Sequence, residues 1–156
     1  MFDSILLYKK FAKKPDIKIE NDFVLSTIHR SENVNNNVIL KNIFHSLKTI
    51  SLDTQVILPI HPNTVNKIKK LNINTKNLNL ITPVSFFEMI WLIQNCKILI
   101  TDSGGLQKEA FFLNKLCLTL REETEWVELV DIGVNYLVGT NKDKIIKNYK
   151  NILNRK

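Results

Sequence analysis

Six short, largely apolar runs rich in β-branched residues, at 23–28, 55–60, 78–82, 97–101, 116–120 and 136–138, are separated by stretches whose apolar residues recur at helical spacing. Their apolar residues follow one another instead of alternating with polar ones, as in strands covered on both faces. Strands and helices that take turns in this way build a parallel sheet with helices on either side. The expected fold is therefore α/β: a doubly wound, Rossmann-like domain. Ligands of such sheets sit beyond the carboxyl ends of the strands. Four polar clusters follow strand ends here, at His29 to Asn33, His61 to Asn63, Asp102 to Gly105 and Arg121 to Glu125.

Between the strands, Val38, Ile39, Ile43, Phe44, Leu47 and Ile50 define one helix, and Val65, Ile68 and Leu71 a basic one. Ser85 with Glu88 three residues on is a capping box. The helix it opens, Phe86 to Asn95, is apolar around most of its circumference and is expected to be buried on more than one side. Leu106 to Leu113, a helix ending near Gly133, and Asp143 to Leu153 complete the set. Upstream, Phe2, Ile5, Leu6, Tyr8 and Phe11 make residues 1 to 13 an amphipathic helix, and Pro15 to Glu20 a polar connection. That helix has no capping preface, as the start of a fragment would not. The expected division is a connecting segment at 1–20 and a domain at 21–156.

A chain of 156 residues is long enough for one domain with a substantial core. The net charge of +7 favours an anionic partner, but the lysines are scattered over solvated helix faces instead of forming a stripe, which argues against nucleic acid. Cys96 and Cys117 sit in apolar segments without metal-site spacing and read as buried free thiols in a reducing compartment. No apolar stretch approaches the roughly 20 residues that span a bilayer, and the N-terminus carries no signal-peptide pattern. The expected location is cytoplasmic, with no membrane partner.

The chemistry concentrates at 97–110. Lys97 to Thr101 runs as a buried strand into Ser103-Gly104-Gly105, after which a helix begins. A strand that passes through a small-residue turn into a helix N-terminus presents free backbone N–H groups and the positive end of the helix dipole, which suits a phosphate. Two glycines let the phosphate approach the backbone, and Ser103 either adds a hydroxyl donor or caps the helix. Glu109 lies one turn past Gly105, within reach of a ligand lying along that turn. Alone, the turn reads first as an ordinary capped βα connection.

The other clusters carry weaker signals. His29 and Arg30 have the residue types to grip a diphosphate and protonate a leaving oxygen, but also read as a surface loop with a capping Ser31. His61, in a proline-stiffened turn, is either a ligand contact or structural, and His45 lies within a helical pattern. Glu32, Glu109, Glu122, Glu123 and Glu125 offer carboxylates with no spacing that marks a catalytic pair. The three histidines lack metal-ligand spacing, and Ser103 lacks the surroundings of a nucleophile elbow, so neither a metal nor a cofactor is expected. Of the tryptophans, Trp126 in its charged loop is a better ligand candidate than Trp91.

Taken together, Thr-Ile-His-Arg-Ser-Glu-Asn at 27–33, Pro-Ile-His-Pro-Asn at 59–63, Ile-Trp-Leu-Ile at 90–93, Thr-Asp-Ser-Gly-Gly-Leu-Gln-Lys-Glu-Ala at 101–110, the run from Arg121 to Glu128, and Leu-Val-Gly-Thr at 137–140 resemble the C-terminal domain of the UDP-N-acetylglucosamine 2-epimerase family. The resemblance implies half of a glycosyltransferase-B architecture, with the nucleotide sugar in a cleft between two domains. It implies inversion at C2 by elimination of UDP to a 2-acetamidoglucal and re-addition of UDP with the proton returned to the opposite face. Ser103, Gly104 and Gly105 would hold the diphosphate, Glu109 the ribose hydroxyls and the backbone near Met89 the uracil, with His29 as the catalytic residue beside the leaving oxygen. Arg121 joins the substrate-binding set. Arg30 and His61 match a second, activating UDP-sugar site of some bacterial members.

Two departures bear on function. The family's N-terminal domain, with its candidate acid and base carboxylates, is absent from these 156 residues, so the expected partners are a UDP-sugar and that missing half, with a homodimer left open. And Glu125-Trp126-Val127-Glu128 replaces a second arginine and a proline found in common members, a form that resembles relatives acting on UDP-2,3-diacetamido-glucuronic acid. Two other readings stand beside the epimerase: the corresponding domain of a glycosyltransferase of the same architecture, and a non-catalytic UDP-sugar-binding module.

Overall fold

The computed structural model describes residues 2–20 and 22–154. Among them, six parallel strands form one sheet: β1 (Phe23–Thr27), β2 (Gln55–Pro59), β3 (Leu78–Ile81), β4 (Ile98–Thr101), β5 (Cys117–Thr119) and β6 (Asn135–Leu137). Each lies within one or two residues of the run that predicts it. The helices are α1 (Phe2–Tyr8), α2 (Ser31–Val34), α3 (Asn37–Ile50), α4 (Pro62–Lys70), α5 (Phe86–Asn95), α6 (Gly104–Phe112), α7 (Val127–Asp131) and α8 (Lys142–Leu153).

The strand order is β3-β2-β1-β4-β5-β6. The chain builds outward from β1 to β3, returns across the sheet, and builds outward again from β4 to β6. The reversal between β1 and β4 is the topological switch point, beyond which a crevice opens at the carboxyl ends of the strands.

Side chains one apart in a strand point to opposite faces. Val24 therefore joins Leu40, Ile43, Phe44 and Leu47 of α3, Ile68 of α4 and Ile145 of α8 on one side. Its neighbours Phe23 and Leu25 join Ile5 of α1, Ile90 and Ile93 of α5, and Ala110 of α6 on the other. The core is thus double, as continuous apolar strands require, and each buried Leu or Ile contributes roughly 1.5–3 kcal/mol. Asn72 (φ 55°) and Asn114 (φ 61°) follow α4 and α6, filling the left-handed position that often ends a helix.

Several local expectations need refinement. Of the helix expected at 1–13, Met1 and the Phe2 side chain lie outside the described residues; α1 ends at Tyr8, and a 3-10 turn follows at Lys9–Phe11. Among the described side chains there, Ile5 is plugged into the core, while Leu6, Leu7 and Phe11 are more than half exposed. The capping box of α5 is formed, and past its first turn the helix is buried on more than one side, as expected: Ile90 and Leu92, on opposite flanks, both lie in the core with Ile93, and Met89 and Trp91 pack against it, whereas in the first turn Phe86 and Phe87 stay exposed and pack edge-on with Tyr8. The loop at 29–33 contains a helical turn, α2. Finally, α6 begins on the glycines instead of after them, and α4 begins at Pro62 because the Nδ1 of His61 caps it, accepting the Asn63 amide at 3.1 Å.

Candidate functional site

Thr27 of β1 lies beside Thr101 of β4, so the segments that follow leave the sheet together at the switch point. Asp102 is fully buried there. Its carboxylate accepts the His29 amide at 3.0 and 3.1 Å, the Arg30 amide at 3.0 Å and the Asn33 side-chain amide at 3.0 Å. Several donors directed at one carboxylate are what make a buried charge tolerable. They also account for α2, since Asn33 must turn inward, where it further donates to the Leu120 carbonyl at 3.3 Å.

Ser103 is the N-cap of α6: its Oγ accepts the Leu106 amide at 3.3 Å, which realises the capping alternative. Gly104 and Gly105 form the first two helical positions, whose N–H groups have no intrahelical acceptor. The two glycines differ. Around Gly105 the nearest atom to an added Cβ is Ser103 Oγ at 3.9 Å, so that side of the turn is open. A Cβ on Gly104 would instead overlap the Glu125 carboxylate, which is seated against the backbone and reached by Arg121 Nη1 at 3.1 and 3.4 Å.

The loop carrying Arg121 and Glu125 is pinned to α6. Trp126 Nε1 donates to the Gly104 carbonyl at 2.7 Å, and the Trp126 amide to Thr124 Oγ1 at 3.1 Å. The Thr124 hydroxyl donates to Gln107 Oε1 at 2.6 Å, which also accepts from Asn135 Nδ2 at 2.8 Å. Gln107, only 1% exposed, returns a bond to the Ser103 carbonyl. Lys108 Nζ lies 4.4 Å from the centre of the Trp126 ring, so this indole is engaged by protein at its N–H and by a cation at its ring.

A cleft of about 300 Å³ opens beside this loop, lined by Arg30, Asn33, Leu120, Arg121, Glu122 and Gly139. Each arginine has a carboxylate from its own loop: Arg30 Nε donates to Glu32 at 2.6 Å, and Arg121 holds Glu125. The Arg30 bond keeps the Glu32 carboxyl below the usual range. Glu125 is lowered by its own backbone amide first, then by Arg121 and Arg30.

Glu109 is half-buried on α6, and no hydrogen bond or ion pair from a described residue reaches its carboxylate. Burial pushes its pKa up. His29 is exposed at the rim, tied down through its backbone. Met89 sits in the first turn of α5 with its amide taken by the Ser85 carbonyl at 2.9 Å, so that N–H is not open to a base. His61 stands at the end of β2, with no hydrogen bond or ion pair to Arg30 among the described residues. The structure therefore brings together His29, Arg30, Ser103, Gly104, Gly105 and Arg121, with Glu109 one turn beyond.

Sequence reading placed Asn33, Asp102 and Thr124 in polar clusters at strand ends without giving any of them a role, and gave none to Gln107. A carboxylate at a strand end directly before a small-residue turn was the available signal for Asp102; the inward-facing bonds of the other three had none. Burial pushes the thiols of Cys96 and Cys117 up to about 12, so both are inert. Among the described residues there is no cluster of three side chains that could hold a metal ion, and no helix long and apolar enough to cross a membrane.

The sequence pattern of the family described as UDP-N-acetylglucosamine 2-epimerase matches residues 1–156. A UDP-2,3-diacetamido-2,3-dideoxy-D-glucuronate 2-epimerase of Pseudomonas aeruginosa is 41% identical over 99% of this chain and 44% of its own length. A UDP-N-acetylglucosamine 2-epimerase of Methanocaldococcus jannaschii is 41% identical over 99% of this chain and 46% of its own. The crystal structure of the Methanocaldococcus jannaschii enzyme in complex with UDP-GlcNAc and UDP superimposes with a TM-score of 0.89 at 38% identity, covering 99% of this chain and 46% of that one. The chain thus spans less than half the length of the curated relatives it matches. A glycotransferase of kitacinnamycin shares the fold alone, at 13% identity and a TM-score of 0.68.

Proposed function

Because this chain belongs to the UDP-N-acetylglucosamine 2-epimerase family, we propose that it is the nucleotide-holding, C-terminal half of an enzyme that inverts C2 of a UDP-sugar. The observation that carries this reading is the Glu109 carboxylate: half-buried, unpartnered among the described residues, and one turn past the open side of Gly105 at the switch point. A ribose offers the two hydroxyl donors that such a carboxylate lacks. The diphosphate then falls on the amides opening α6 with Ser103 beside them, and Arg121 adds a guanidinium. The uracil lies toward Met89.

In the reaction, the C2 proton leaves and the C1–O bond breaks, which releases UDP and leaves a 2-acetamidoglucal. Re-addition forms the C1–O bond again and returns the proton to the opposite face of C2. His29, at the rim beside the diphosphate, has the ring to hydrogen-bond the departing phosphate oxygen. Residues 1–20 are the segment that joins the two halves, and the groups that move the C2 proton belong to the half this chain does not contain. The isolated chain therefore binds UDP weakly and turns over little or nothing. Arg30 and His61, at adjacent strand ends, are the proposed contacts of a second, activating molecule. The proposed compartment is the cytoplasm, in keeping with two free thiols; nucleic acid and membrane are not proposed as partners, and self-association into a dimer is a matter for sedimentation.

A second reading of the sugar, UDP-2,3-diacetamido-glucuronate, is favoured by the Glu125-Trp126-Val127-Glu128 loop and by the Pseudomonas aeruginosa relative. Calorimetry with UDP on the chain, on Gly105→Asp and on Glu109→Ala tests the assignment; both variants should lose binding. Equal binding by wild type and Gly105→Asp would remove the diphosphate assignment. Mixing the chain with the missing half and supplying each UDP-sugar separately decides which one is epimerised.

A further inference from the structure

The space beside Gly104 that the missing Cβ leaves is filled by the Glu125 carboxylate. This carboxylate sits at the positive end of the α6 dipole and against Arg121, whose side chain is only 12% exposed. A carboxylate held by a guanidinium at a helix N-terminus has the same sign of charge and the same partners as the phosphate such a turn receives. Its neighbours in sequence are fixed: Thr124 is bonded to Gln107, and Trp126 to the Gly104 carbonyl. The Glu125 side chain, by contrast, is 48% exposed, and turning it into solvent would break its contacts to its own amide and to Arg121 but leave those two bonds in place.

We propose that Glu125 is a built-in counter-anion, which holds the seat beside Gly104 and Arg121 until a nucleotide diphosphate displaces it. The proposal rests on the reading of Ser103 to Gly105 as the diphosphate seat. A diphosphate carries more negative charge than one carboxylate and can use the donors of the Arg121 fork that Glu125 leaves untouched, since only Nη1 reaches the glutamate. The exchange therefore runs in favour of the ligand, but affinity is reduced by whatever stabilises Glu125 in place. An ordinary binding-loop residue behaves in the opposite way: removing it weakens the complex.

The test is calorimetry with UDP, at low and at high salt, on wild type, Glu125→Gln, Arg121→Ala and the double variant Arg121→Ala/Glu125→Gln. Asp53→Asn, at the amino end of the sheet before β2, controls for the change in net charge. Glu125→Gln should bind UDP about threefold to tenfold tighter at low salt, the scale of a half-exposed ion pair plus a helix-end charge, and the gain should shrink at high salt. Asp53→Asn should leave affinity unchanged. In the Arg121→Ala background the Glu125→Gln gain should largely disappear, because the guanidinium is what the two anions compete for. If wild type binds and Glu125→Gln binds equally or more weakly, or its gain is matched by Asp53→Asn, the seat stands and the counter-anion proposal is overturned. If neither wild type nor Glu125→Gln binds UDP, the seat itself is wrong and the proposal goes with it.

Discussion

Asp102 and His29 stand 73 residues apart in the chain, yet the two oxygens of the Asp102 carboxylate lie 3.0 and 3.1 Å from the His29 amide. This contact closes the switch point. It ties the end of β1 to the end of β4 and places a candidate acid, His29, beside the turn that opens α6.

Asp102→Ala should destabilise the fold by about 2–4 kcal/mol, since it leaves the His29 and Arg30 amides and the Asn33 side chain without their charged acceptor in a buried place. Urea unfolding measures the loss. UDP affinity should fall at the same time, because the 29–33 segment is released from the seat. A variant as stable as wild type would show that water satisfies these donors and that the carboxylate does not organise the site.

Gln107→Leu should cost about 1–3 kcal/mol, because Thr124 and Asn135 both lose their acceptor in the interior. The informative readout is Trp126 in a Trp91→Phe background. With the loop unpinned, its indole should lose the bond to the Gly104 carbonyl and its emission should move to the red. An unshifted spectrum would mean that the loop is held without Gln107.

Glu109→Gln should raise stability and abolish UDP binding together. Burial raises the pKa of Glu109 above its ordinary 4.5, so the carboxyl costs nothing at low pH, where it is protonated in folded and unfolded chains alike. The cost appears as pH rises from the unfolded value through the folded one, and is fully present at neutrality. Thermal melts of wild type and the Glu109→Gln variant should therefore coincide near about pH 3 and diverge by about pH 7, where the variant melts higher. A wild type that melts higher at neutral pH would mean that the carboxylate has a protein partner after all.

Gly139→Ala should destabilise by about 1–2 kcal/mol or more, since Gly139 has φ +58° and an added Cβ would also overlap the Glu122 carboxylate. Glu122 can swing outward, so most of the cost is backbone strain. Gly139→Ala combined with Glu122→Ala should recover only the smaller part in chemical denaturation. Full recovery would place the cost in the side-chain overlap.

The strands were legible because their signal is local. Cys117 to Thr119 is short and apolar whatever it pairs with, and the capping box of Ser85 and Glu88 closes within one helical turn. The strand, small-residue turn and helix around Ser103 to Gly105 were legible for the same reason, since they lie in one continuous stretch. Phe86 and Phe87 misled because apolar residues alone do not say whether the core or a neighbouring short segment covers them; here they meet Tyr8 at the surface.

The sequence by itself determined the alternation of elements, the parallel sheet, the family and the position of the small-residue turn that opens α6, all of which follow from periodicity and from residues close together in the chain. Only the tertiary structure decided that the sheet order reverses between β1 and β4, that Asp102 holds the 29–33 segment, that Gln107 pins the 121–126 loop, and that Glu125 takes the place beside Gly104. The physical reason is that a hydrogen bond acts over about 3 Å and has no sequence range. Which carboxylate faces which amide depends on the order in which strands are laid side by side, and that order is set by the packing of the whole double core.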